Sequence, residues 1–114
     1  MDRKESDWRA LRDMTGTLRE RYLEKKNREL LATLTDTNKS PTEQFWDTHA
    51  QMGEEKKVLQ RCLDDIRRSS MDVTMAVMLN HEMLLEEDLE SFSPELQERL
   101  RNYLDVMSTV GDKA

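Results

Sequence analysis

The chain has 114 residues, room for one domain. Charged side chains make up 37% against 36% hydrophobic and 5% aromatic, and 3 Gly and 2 Pro are too few to punctuate an all-β fold, so the chain reads as all-α. A lone cysteine, Cys62, excludes an internal disulfide, and no stretch supplies the ~20 apolar residues that cross a bilayer.

The opening Asp2-Arg3-Lys4-Glu5 is charged where a secretory signal would be apolar. The sequence therefore predicts a cytoplasmic protein with no membrane association. The net charge of -6 is uneven: residues 1–34 hold 9 basic and 7 acidic side chains, residues 35–69 hold 6 and 7, and residues 70–114 hold 3 and 10.

From Asp7 to Leu34, Trp8, Leu11, Leu18, Tyr22, Leu30 and Leu34 recur at helical intervals, with Met14, Leu23 and Leu31 beside them. The spacing predicts a helix over 7–34 with Ser6 as its cap and a polar face rich in opposite-charge pairs such as Glu24 with Arg28. Gly16 weakens it and marks a bend or a close helix contact. The polar stretch Thr35 to Lys39 reads as a short interhelical loop. Ser40-Pro41-Thr42-Glu43 is a capping box with proline at the first helical position, which starts a second helix at Pro41.

That helix is expected over 41–68, with the stripe Phe45, His49, Met52, Lys56, Leu59, Leu63 and Ile66 alternating by four and three. A seam of this kind packs on a neighbour at a shallow angle. A break or kink is expected at 69–71, favoured over one continuous helix to about 90. The segment 71–90 is apolar on more than one side, through Met71, Val73, Met75, Ala76, Val77, Met78, Leu79, Met83, Leu84, Leu85 and Leu89, and reads as a third helix. Ser93-Pro94-Glu95 repeats the start signal for a fourth, over 94–110, with the stripe Leu96, Leu100, Tyr103, Met107 and Val110 and Gly111 as its stop.

The histidines, His49 and His81, lack a ligand partner at three or four residues on the same helix, and Cys62 lies on an apolar flank, so no metal, cofactor or catalytic site is expected. No glycine-rich phosphate loop or nucleophile elbow is present. His49 is expected to pack inside the fold.

Eight methionines are more conspicuous. Met71, Met75 and Met78 fall at i, i+4 and i+7, with Met83 nearby, and a flexible thioether suits either a core or an adaptable groove. The sequence therefore predicts a single helical domain over 1–114, a four-helix bundle or extended helical hairpin that self-associates. The shorter third and fourth helices leave the ends of the first pair uncovered, with a second subunit as the natural cover. In function it reads as a non-catalytic protein-interaction module, a small adaptor, chaperone or inhibitor. Its expected interface is the Met-rich helix and acidic C-terminal half: Met71, Met75, Val77, Met78, Met83, Leu85, Glu86 and Glu87. The expected partner is another protein, with a homodimer through the same region. A nucleic-acid-associated regulator acting through the Arg/Lys-rich first helix stands second, because seven acids interleave its nine bases.

Overall fold

A computed structural model describes residues 3–112, with side chains described for 5–107. Among the described residues every regular element is helical. The first, α1, runs unbroken from Arg3 to Leu34, about 48 Å at 1.5 Å per residue. It starts four residues earlier than the apolar spacing predicts, so Ser6 lies inside it rather than capping it. Leu11, Leu18 and Tyr22 face the core, while Glu24 and Arg28 pair at 2.7 Å one turn apart on the outside. Gly16 has open space around its Cα, so no close helix contact explains it.

The connection to α2 (Pro41–Leu59) is tied by its own polar groups. Asp36 Oδ1 accepts from the Asn38 N–H, and the Asp36 carbonyl accepts from Gln44 Nε2. The capping box forms as the residue types require: Ser40 Oγ accepts from the Glu43 N–H at 3.1 Å, and the Glu43 carboxylate accepts from the Ser40 N–H at 3.0 Å. Those hydrogen bonds hold the Glu43 carboxyl below its ordinary range.

The α-helical pattern of α2 ends at Leu59, short of the expected 68, and a π turn follows over Gln60–Asp64. Its wider i to i+5 closure, Asp65 N–H to the Gln60 carbonyl at 2.8 Å, accompanies burial of the adjacent Cys62 and Leu63. Arg19 on α1 pins Asp64 at 2.6 Å. The chain then breaks at 65–67, earlier than expected, and a 3-10 turn over Arg68–Ser70 leads into α3 (Met71–Asn80).

The largest departure from the sequence reading follows. The expected helix over 71–90 stops at Asn80, because Glu82 takes a left-handed backbone (φ 58). The Glu82 N–H then bonds the Leu79 carbonyl at 3.1 Å and the Met83 N–H the Met78 carbonyl at 2.9 Å, which is a Schellman motif. Its customary apolar contact is supplied by Met78 and Met83, both buried. A 3-10 turn over Glu86–Ser91 carries the chain to α4 (Pro94–Asp112). Ser93 Oγ accepts from the Leu96 N–H at 3.3 Å. The Ser93 N–H and hydroxyl both donate to the buried Asp7 carboxylate on α1, at 2.8 and 2.7 Å. Gly111 lies within α4 rather than ending it; the Val110 side chain lies outside the described ones.

Helix α1 packs on α2, and α3 on α4. One core joins Leu11, Leu18 and Tyr22 of α1 with Cys62 and Leu63, the α3 methionines, Leu84, Leu89, Phe92, Leu96 and Leu100. The long α1 and α2 extend past this core as an uncovered hairpin. The radius of gyration, 16.6 Å, accordingly exceeds the ~13 Å of a compact domain of this length.

Candidate functional site

Helical geometry carries the stripe of α2 from core to solvent. Leu63 is buried and Leu59 half-buried against the body of the molecule. The same stripe, followed back at intervals of four and three, reaches Lys56, Met52, His49 and Phe45, all exposed. Phe45 is 58% exposed, Trp46 59% and Met52 54%. The Phe45 and Trp46 rings meet edge to face with centroids 4.9 Å apart, and His49 meets Trp46 at 5.7 Å. Two of the six aromatic residues of the chain thus stand side by side in water at the hairpin tip, joined on α1 by the exposed Leu31 and Leu34. The expectation that His49 packs inside the fold is corrected here: α3 is too short to reach it.

The Met-rich segment sits elsewhere. Met75, Met78 and Met83 are fully buried, Met71 and Val77 nearly so, all within the chain's own core. In this arrangement they offer no surface to a partner. The physical reason is the break at Glu82, after which the chain returns to α1 through Arg21 and Lys25, and Met83, Leu84, Leu89 and Phe92 join the α3 methionines in one buried cluster. Leu85 is half-buried, and Glu86 and Glu87 are exposed on the 3-10 turn. Of the expected interface residues, only these last two lie fully at the surface.

Electrostatics fastens the folded-back segment. Arg21 donates to both Asp88 oxygens, at 2.6 and 3.4 Å, and to the Met83 carbonyl at 2.9 Å. Partial burial raises the Asp88 carboxyl, but the Arg21 hydrogen bonds, the Leu85 N–H and the Arg21 charge together hold it below its ordinary range. Lys25 pairs with Glu82 at 2.5 Å. With Arg19 on Asp64, Arg28 on Glu24 and Lys26 near Glu29 and Glu55, the bases in the middle of α1 are engaged within the chain. Little free positive field remains there for phosphate.

Other features are structural in their surroundings. Cys62 is buried, which pushes its thiol up despite the nearby Arg61. A cleft of about 330 Å³ beside α3 and α4 is bounded by Glu5, Arg68, Asp72 and Arg99, whose charges pair as Arg68 with Glu5 at 2.8 Å and Arg99 with Asp72 at 3.8 Å. Among the described residues no group of three or more His, Cys, Asp or Glu converges as a metal site, and no helix is long and apolar enough to cross a membrane. Comparison with protein-family models, curated proteins and solved structures finds no match to this chain.

The tip cluster was half visible in the sequence. The stripe through Phe45, His49 and Met52 and the unequal helix lengths both point to it, but composition cannot say which half of a stripe its neighbour covers.

Proposed function

We propose that the chain is a non-catalytic protein-interaction module of the cytoplasm, and that its working surface is the tip of the α1–α2 hairpin. The observation that carries this reading is the exposure of Phe45, Trp46 and Met52 together on one helix. Aromatic side chains anchor protein interfaces because a rigid ring buries much area at little entropic cost. A patch of this kind left wet is costly, roughly 25 cal/mol for each Å² of apolar surface. Glu86 and Glu87 are exposed on the 3-10 turn outside the aromatic cluster, an acidic flank that serves as the comparison surface. A single buried thiol suits a reducing compartment.

The test is affinity capture from an extract of the source organism with the wild-type chain, the double variant Phe45→Glu/Trp46→Glu, and Glu86→Lys/Glu87→Lys. The tip residues are exposed, so the double variant should keep its helical circular dichroism. Proteins retained by the wild type and by the acidic-flank variant but lost from the tip variant are the expected result. Identical retention by all three would show that the tip is not the working surface.

A further inference from the structure

Resting on the tip as an interaction surface, we infer that its occupant is a second copy of this chain, two hairpins overlapping their uncovered ends about a two-fold axis to complete a four-helix block. Three observations converge on that occupant. The first is shape. The molecule measures 56 × 33 × 22 Å, and burial stops part-way along the hairpin, with Leu11, Leu18 and Tyr22 covered but Leu31, Leu34, Phe45 and Met52 exposed, so the cover of the hairpin ends in a step. Two such steps, placed face to face, fill one another. Each hairpin then supplies the layer that α3 supplies over Leu59 and Leu63, and the stripe of Phe45, His49 and Met52 meets its own copy, as isologous symmetry requires.

The second is charge. Residues 24–57 carry 6 basic and 7 acidic side chains, while the rest of the chain carries 12 and 17. Like copies repel through the acidic remainder and least at the nearly neutral tip, so self-pairing is steered to the overlap.

The third is area. The uncovered hairpin, residues 41–56 of α2 beside 24–34 of α1, averages about 20 Å in length and is two helices wide, roughly 20 × 20 Å in plan per copy. Two copies together bury about 800 Å², in the size range of weak, transient association rather than of a permanent dimer. On α1 the row of Leu11 and Leu18 passes through Lys25, held by Glu82 at 2.5 Å, to the exposed Ala32, whose small side chain allows close approach.

The experiment is light scattering after size exclusion across a concentration series from micromolar to hundreds of micromolar, with cysteine cross-linking as a positional readout. The wild type should rise toward twice the chain mass of 13.5 kDa, while Phe45→Glu and Met52→Glu stay monomeric with unchanged circular dichroism. His49→Cys, near the two-fold axis, should oxidise to a disulfide-linked dimer. Ser6→Cys, about 42 Å from Leu34 at the tip end of α1, should not, and the buried Cys62 should not compete. A wild type that remains monomeric throughout overturns this inference, while the capture experiment still decides whether the tip serves a different protein. A dimer indifferent to both tip variants, or one linked through Ser6→Cys, overturns it as well.

Discussion

Tyr22 concentrates the polar chemistry at the base of the hairpin. Its ring is buried, its hydroxyl donates to the Glu55 carboxylate, and Lys26 Nζ lies 5.4 Å from the ring centroid and 3.8 Å from Glu55 Oε1. Burial first, and then the hydrogen bond to Glu55, hold the phenol above the ordinary tyrosine value of 10.0. A raised folded-state pKa contributes stability that is fully present below the unfolded value and is lost as pH rises beyond it. The urea midpoint should therefore fall above about pH 10 in the wild type, where unfolded tyrosine ionises. Tyr22→Phe should make that alkaline limb shallower, leaving the part that the buried Cys62 thiol contributes, at a loss of about 1.5 to 3 kcal/mol near neutrality for a hydrogen bond to a carboxylate. Parallel alkaline limbs in the two proteins would show that Tyr22 does not carry the dependence.

Among the elements, what the sequence made legible follows from chemistry confined to a few adjacent residues. Ser40-Pro41-Thr42-Glu43 and Ser93-Pro94 satisfy their own backbone donors, so α2 and α4 start where the prolines say. The end of α3 was hidden for the converse reason. A Schellman stop is normally announced by glycine, and here Glu82 fills the left-handed position, so the apolar run through Leu85 reads as continuing helix. Which face of Met75 or Met78 is covered depends on where 83–92 returns, information held in the Arg21 contacts 62 and 67 residues away in sequence. The left-handed backbone costs an L-residue about 1 to 2 kcal/mol, so Glu82→Gly should raise the melting temperature, the lost exposed pair with Lys25 offsetting only part of the gain. Glu82→Pro, with φ fixed near -65°, should lower it sharply. A lower melting temperature for Glu82→Gly would mean that the Lys25 pair, and not backbone strain, dominates at this turn.

At the scale of the molecule, stability is divided along the long axis. The body buries one core built from α1, α3, α4 and Cys62–Leu63, which α2 meets only through Val58 and Leu59, whereas beyond it α1 and α2 have only each other, with Thr48 Oγ1 buried without a hydrogen-bond partner among the described residues. Two helices with one shared seam are marginal in water, since most helical stability comes from tertiary cover. Backbone amides of residues 27–34 and 41–52 should therefore exchange hydrogen faster than those of 11–22, 71–79 and 96–103 in dilute solution, as a local opening below the global one. If the tip is covered by a second copy, mass action links that opening to concentration. Protection at the tip should then rise as the chain is concentrated, protection in the body should stay constant, and Phe45→Glu should abolish the rise while leaving the body unchanged. Exchange measured residue by residue at two concentrations separates the cases. A tip already as protected as the body in dilute solution would show a self-sufficient hairpin, and a poorly protected tip indifferent to concentration would leave its aromatic cluster to a partner other than itself.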